Sequence, residues 1–142
     1  MAESFSNALA RAAGSVTTAT GGSIAAGANT ITGISTTGVV VADLVENQHY
    51  LAGTKVSSIG AGQVTVDRTS TNGATATSQT VKFMTPTTLY TSSGQKTILI
   101  GGTFANNTNN QVGLTVEVTD TSAGVTVAIA SKIPVPAGSS FV

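Results

Sequence analysis

The sequence predicts an all-β fold of two small antiparallel β units in series, a β-barrel-like unit followed by a β-sandwich, with a short N-terminal helix before them. Three observations lead to this prediction. From Ser15 onward the chain is rich in Thr, Val, Ile and Gly, the residue types of strands and turns. Turn signals recur about every 8 to 12 residues, and the segments between them alternate apolar and polar residues.

The first 14 residues form a separate segment with helical character. Phe5 and Leu9 fall on one face of a helix over residues 3–13, alanine is frequent there, and Gly14 follows as a terminator. A helix this short is marginal in isolation. We therefore expect it to pack on the fold or to reach a neighbouring subunit, and a frayed chain end is the alternative.

The first β unit is predicted over residues 15–84. Alternation with a period of two marks its strands at 28–34, 55–59 and 63–67. The last two are joined by Gly60-Ala61-Gly62, where glycine supplies the positive φ of a tight turn, so they should form a hairpin. The segment 80–84 closes the unit.

The second β unit is predicted over residues 85–142, after a break at Pro86, which lacks the N–H that a central strand needs. Its turns are marked by asparagine, aspartate and glycine. The predicted strands lie at 88–90, 96–104, 113–119 and 125–129, and a segment with two prolines ends the chain. Four to six strands of this kind suit a small β-sandwich.

Composition limits the classes of partner. Only 8% of residues are charged, with six basic and six acidic side chains. Copies of such a chain repel each other little, so we expect it to associate. The basic residues are scattered singly, so no nucleic acid is expected as a partner. The longest apolar run, Val39 to Ala42, is far too short to span a membrane, and we expect no secretory signal and no membrane contact.

The inventory of reactive side chains predicts no enzyme. His49 is the single histidine, there is no cysteine, and the acidic residues lack the aromatic platforms and cleft of a glycosidase. The segment Asp120 to Gly124 fits an Asx turn better than a calcium loop, because it lacks acidic density. We expect no metal, no cofactor and no catalytic residue.

A polar loop is the first candidate for a contact surface. It contains Asn47, His49 and Tyr50. An aromatic ring in an exposed loop can stack on a sugar, so a receptor-binding or carbohydrate-binding role toward a host glycan is the alternative function, and Tyr50 is its one obvious aromatic candidate.

Several strings carry a resemblance to a known family. The start SFSNALARAAGSV and residues 96–142, with GGTFAN at 101–106, DTSAGVT at 120–126 and PVPAGSS at 134–140, resemble small virion structural proteins of tailed phages, especially marine and cyanobacterial ones. Residues 24–83 more weakly resemble β modules of phage fibres and surface adhesins. The shorter relatives run almost directly from the N-terminal segment to the terminal sandwich, and here a whole β unit intervenes.

The resemblance implies a trimeric or otherwise multi-copy protein of the virion, assembled in the host cytoplasm. Decoration or cementing of the capsid is the leading expectation, and the neck, tail or fibre is the next. The major capsid protein or other virion proteins would be its partners, together with further copies of the chain. Phe5, Leu9 and Arg11 form the candidate docking segment. The family has no catalytic residues to transfer.

Overall fold

The computed structural model describes residues 15–92, 98–99 and 101–142, and this part of the chain is all-β with antiparallel sheets and no helix. The predicted all-β class is confirmed. The helix expected over residues 3–13 lies outside the described residues. The strands are β1 (Ser15–Ile24), β2 (Thr30–Thr32), β3 (Leu44–Glu46), β4 (Val56–Gly60), β5 (Gln63–Val66), β6 (Ala76–Thr85), β7 (Phe104–Ala105), β8 (Val112–Asp120), β9 (Val125–Val135) and β10 (Ser140–Phe141).

The chain divides into two compact units, Met1–Ser93 and Gly94–Val142. The sequence placed this division between residues 84 and 85, directly after the last strand of the first unit. The structure ends that strand, β6, at Thr85. The division itself lies a few residues further on, because the irregular residues after β6 still belong to the first unit.

The first unit is a six-stranded sheet in the order β3-β6-β1-β2-β5-β4. β1 and β6 pair along most of their length, with register shifts after Ala19 and after Gly22. Such bulges bend and twist a sheet. The hairpin predicted around Gly60-Ala61-Gly62 is present as β4 and β5, and Gly62 takes a φ of +68° in its turn.

The two ends of this sheet are joined to each other. Val56 N–H donates to Asp43 O at 2.9 Å, Ala42 N–H donates to Val56 O at 2.8 Å, and Val45 N–H donates to Thr54 O at 2.8 Å. These bonds connect the edge at β3 with the edge at β4, so the six strands close into a barrel-like ring. Closure removes the exposed strand edges that favour uncontrolled pairing.

A single apolar cluster fills the first unit. Its fully buried members come from alternate positions of the paired strands, as the pleat requires. They include Ile24, Ile31, Val64, Val81 and Phe83. The closed sheet thus has an ordinary hydrophobic interior, which is the main source of its stability.

The second unit differs from the expected sandwich. Its described residues form two separate two-stranded sheets, β8-β9 and β10-β7. The segment 88–90, predicted as a strand, is not one in the structure; it belongs to the first unit, and Leu89 and Tyr90 are exposed there. The strand predicted at 96–104 is seen only at its end, in β7, and residues 96, 97 and 100 lie outside the described part.

Candidate functional site

The loop after β3 is held firmly by its polar side chains. The Asn47 side-chain amide donates to Thr80 O at 3.0 Å, and its Oδ1 accepts from the His49 backbone N–H at 2.9 Å. His49 O accepts from both the backbone N–H and the hydroxyl of Thr71, at 2.8 and 3.1 Å. Asn47 therefore ties a tight Asx-type turn to β6, which is a structural task.

Tyr50 is buried, unlike Asn47 and His49, the two other loop residues predicted to make contacts. Its side chain is 5% exposed and belongs to the apolar cluster of the first unit. The hydroxyl donates to Ala28 O at 3.3 Å, and burial raises the pKa of the Tyr50 phenol above its usual 10.0. A buried ring presents no face for a sugar, so the predicted contact role of this loop would depend on Asn47 and on the half-buried His49.

Asp43 is the one carboxylate within the described residues that is almost fully buried, at 1% exposed. Its Oδ2 accepts from the Val40 backbone N–H at 2.8 Å, and its own N–H donates to Val40 O at 3.1 Å. This reciprocal pair closes the turn before β3. Over residues 15–92, 98–99 and 101–142, no group of three or more acidic or histidine side chains is placed to hold a metal ion.

A buried asparagine organises the second unit. Asn106 is 4% exposed, and its Nδ2 donates to the carbonyl oxygens of Asn110, Val135 and Pro136 at 2.8, 2.9 and 3.1 Å. Its Oδ1 accepts from the backbone N–H and the hydroxyl of Thr108, at 3.0 and 2.7 Å. One side chain thus joins two of the sequence strings quoted above, the one at 101–106 and the one at 134–140.

The third of those strings forms the turn between β8 and β9. Asp120 Oδ1 accepts from the Ser122 backbone N–H at 2.9 Å, from the Ser122 hydroxyl at 2.7 Å and from the Ala123 N–H at 3.1 Å. These three bonds lower the pKa of the fully exposed Asp120 carboxyl. Gly124 supplies a φ of +65° where the turn enters β9. The Asx turn predicted here is confirmed.

The β8-β9 hairpin has one apolar and one polar face. Residues paired across two strands have side chains on the same face. The apolar pairs are Val112 with Val135, Leu114 with Ile133, Val116 with Ala130, and Val118 with Val127. Positions between them pair Gly113 with Pro134, Glu117 with Ala128, and Thr119 with Thr126. The two threonine hydroxyls of the last pair lie 3.0 Å apart, as a shared face requires.

Two register shifts keep the apolar residues of the hairpin together. β9 has one extra residue at Ile129, between the partners of Glu117 and Val116, and another among residues 131–132. Lys132 takes a φ of +51° there, and its N–H donates to the Thr115 hydroxyl at 3.2 Å. Each extra residue reverses the facing of those that follow. The two reversals cancel, so the side chains of Ile133 and Val135 lie on the same face as those of Val125 and Val127.

This apolar face, which we call the hairpin face, is defined by Val112, Leu114, Val116, Val118, Val125, Val127, Ala130, Ile133 and Val135. Asp120, the partner of Val125, stands at its end beside the turn. Near the turn it is open: Val118, Val125 and Val127 are 51%, 49% and 56% exposed. Val135 alone among its members is buried. The sequence predicted strands at 113–119 and 125–129, and the structure extends the second of them to Val135. It did not predict this exposure, because an alternating pattern looks the same whether or not a core covers the apolar face.

Two further predictions concern the N-terminal docking segment and membrane contact. The docking segment Phe5, Leu9 and Arg11 lies outside the described residues. Within the part of the chain that the structure describes, no helix is long and apolar enough to cross a membrane.

Comparison with known proteins gives no relative. No protein-family model matches the chain, and neither a curated protein nor a solved structure matches it.

Proposed function

We propose that the chain is a structural protein of a phage virion, and most specifically a multi-copy decoration or cement protein of the capsid. The observation that carries the proposal is the hairpin face, an apolar surface whose residues near the turn are about half exposed. Proteins whose task is to hold an assembly together need surfaces of this kind more than they need reactive groups.

The polar groups of the described residues support the same function. The side chains that sequence analysis could have assigned to chemistry instead make turns: Asn47, Asp43, Asn106 and Asp120 each bind backbone N–H or C=O groups close by. The strings that resemble virion proteins lie at the Asn106 cluster and at the hairpin turn, where they set the shape of the second unit.

In this function the barrel-like first unit is a stable module with its own core, and the second unit supplies the contacts. Burial of apolar strand surface against neighbouring proteins would stabilise the particle. The β-sandwich expected for residues 85–142 would then be completed between chains. The N-terminal segment with Phe5, Leu9 and Arg11 is the proposed docking element toward the major capsid protein.

The test is the composition and structure of purified virions of the source phage. Mass spectrometry should find this chain at a copy number comparable to that of the major capsid protein, and cryo-electron microscopy should place its density on the outside of the shell. Density at the neck, tail or a fibre would refute capsid decoration and favour the alternative, a neck, tail or fibre component. Absence of the chain from purified particles would refute the proposal.

A pair of variants tests the docking segment. Phe5→Ala with Leu9→Ala should abolish binding to particles that lack the protein, while Ser4→Ala with Ser6→Ala in the same segment should not. Equal binding by both variants would remove the segment from the proposal.

A further inference from the structure

We propose that Asn72 is a self-modification site of the first unit, where the backbone nitrogen of Gly73 converts the asparagine to aspartate or isoaspartate. The fold controls the reaction. It is slow while residues 70–72, which we call the closing segment, are bound to the barrel-like sheet, and it proceeds when they detach. This inference does not depend on the virion function.

The closing segment lies between β5 and β6, and each of its three residues donates to a backbone carbonyl oxygen elsewhere in the first unit. The bonds run from Ser70 N and Oγ to Ala28 O and Ala25 O at 2.8 and 3.0 Å, from Thr71 N and Oγ1 to His49 O at 2.8 and 3.1 Å, and from Asn72 Nδ2 to Ile24 O at 3.0 Å. They attach the segment to the end of β1, to the turn before β2 and to the loop after β3. The segment is thus part of the closed first unit.

The nucleophile is the backbone nitrogen of Gly73. Asn72-Gly73 is the single Asn-Gly pair in the sequence. A backbone nitrogen that follows asparagine can attack the side-chain Cγ, and glycine hinders this approach least because it has no Cβ. Gly73 is exposed and lies outside the strands, and a Cβ built on it would meet no atom within 4 Å. The attacking group is therefore open to solvent.

The conversion needs water as its only co-reactant. The Gly73 nitrogen forms a bond to Asn72 Cγ, the bond from Cγ to Nδ2 breaks, and Nδ2 takes up the proton that the Gly73 nitrogen loses and leaves as ammonia. Water then opens the resulting succinimide ring at either carbonyl, which gives aspartate or isoaspartate. Nothing is oxidised or reduced.

The bound closing segment opposes this reaction at both atoms of the Asn72 amide. Nδ2 donates to Ile24 O and, at 2.7 Å, to Ala74 O, so its departure breaks two hydrogen bonds. Oδ1 is buried, and no donor binds it within the described residues. Negative charge grows on this oxygen during the attack, and a buried oxygen without a donor disfavours it. Detachment exposes Oδ1 to water, so the rate should follow the population of the open segment.

Conversion would change the closing segment permanently, because the ammonia is lost. In aspartate an oxygen replaces Nδ2 and faces Ile24 O and Ala74 O, so acceptors meet acceptors at a partly buried position. Isoaspartate also lengthens the backbone by one carbon between residues 72 and 73. In either product the bond to β1 is lost, and the neighbouring bonds of Thr71 should open more often.

The experiment incubates the full-length protein in mildly alkaline buffer and follows Asn72 by mass spectrometry. Trypsin releases residues 69–82, a peptide in which Asn72 is the single asparagine. The same peptide, incubated free, gives the rate without the fold. We expect conversion in both samples, and a slower rate in the protein.

Three variants of the full-length protein separate the chemistry from its control. Ser70→Ala removes the hydroxyl bond to Ala25 O and should speed conversion about fivefold, as expected for one lost hydrogen bond. The exposed Thr75→Ala in the same loop should leave the rate unchanged. Gly73→Ala should suppress conversion without disturbing the fold, because its methyl group meets no atom.

Hydrogen exchange measures the structural consequence. Converted protein, separated by its added negative charge, should lose protection at the Thr71 amide, which donates to His49 O, while amides of β2 and β5 keep theirs. The same amides of β2 and β5 show that Ser70→Ala is folded.

Conversion in the protein at the rate of the free peptide, or equal rates in Ser70→Ala and Thr75→Ala, would overturn control by the fold. The modification site itself would be overturned if Asn72 stayed unconverted in the protein, if conversion persisted in Gly73→Ala, or if the Thr71 amide kept its protection after conversion.

Discussion

Replacing Asn106 with aspartate exchanges the side-chain NH2 donor for an oxygen acceptor, while the size of the side chain stays the same. The Nδ2 group lies within 3.1 Å of three carbonyl oxygens, and its two hydrogens are shared among them. Loss of two hydrogen bonds costs about 1–3 kcal/mol, and a buried acceptor left facing other acceptors costs about 1–3 kcal/mol more. The two costs add, so we expect the second unit to lose about 2–6 kcal/mol of stability at pH 7.

Native-state hydrogen exchange measures this loss where it occurs. The N–H of Gly138 donates to Asn106 O at 3.0 Å and the N–H of Thr108 to Asn106 Oδ1 at 3.0 Å, so both amides report on the cluster. Their protection should fall by roughly 30- to 25,000-fold, since 1.36 kcal/mol corresponds to a factor of ten. Amides of the first unit should keep their protection, because that unit has its own core.

The dependence on pH gives the sharper test. A carboxyl that faces carbonyl oxygens has its pKa raised in the folded state, so the folded protein binds the proton more tightly than the unfolded chain does. Stability of Asn106→Asp should therefore rise as the pH falls from 7 toward about 4, and its deficit against the wild type should narrow. Asn109→Asp, an exposed change of the same charge in the same loop, should lack this trend. Identical behaviour of the two variants would refute the role assigned to Asn106.

Three further predictions follow from single contacts. The Asp120 carboxyl should titrate below its ordinary 3.8 in an NMR pH series, because a serine hydroxyl and two backbone amides donate to it. The stabilisation that it gives the turn should be present above the unfolded-state pKa and lost as the pH falls through the folded value; an unshifted midpoint would contradict the turn geometry. Tyr50→Phe should cost about 1 kcal/mol in a thermal melt by removing a partly buried hydrogen bond, whereas replacing the exposed Tyr90 with phenylalanine should be neutral. Gly22→Ala should cost about 1–3 kcal/mol, since the added Cβ would lie 3.0 Å from a buried isoleucine methyl and 3.3 Å from a carbonyl oxygen. Gly73→Ala, with nothing within 4 Å, should not.

The parts of the fold that sequence reasoning found are those set by neighbouring residues. The β4-β5 hairpin follows from alternation on both sides of Gly60-Ala61-Gly62, and the Asp120 turn follows from the short-range hydrogen bonding of aspartate. The sequence predicted that the first unit is barrel-like, but not which strands close the barrel. Closure depends on backbone bonds between residues 42–45 and 54–56 and on bulges in β1 and β6, and no local pattern indicates either.

The burial of single side chains was the least predictable property of the candidate sites. Tyr50 follows polar residues, so the pattern suggested an exposed loop, and yet the Asn47 turn directs the chain so that the ring enters the core. Asn106 begins a run of asparagine that indicates a turn, and nothing in the run distinguishes the buried member from the exposed ones. In both cases burial depends on a hydrogen bond to a carbonyl oxygen distant in sequence. Tyr50 donates to Ala28 O, and Asn106 donates to Val135 O.

The hairpin face shows how an irregular strand can keep an alternating pattern. The sequence predicted this strand only over residues 125–129, and the structure continues β9 to Val135. Read by parity alone, Val125, Val127, Ile133 and Val135 share a face, and the structure agrees. They do so only because two extra residues in β9 each reverse the facing and together restore it. A single bulge would have sent Ile133 and Val135 to the polar face and divided the apolar surface in two. Lys132 takes the left-handed conformation at the second bulge, and this backbone strain is the energetic cost of keeping the apolar face continuous. Such a cost is expected if the continuous face, and not the hairpin alone, is what β9 contributes to function.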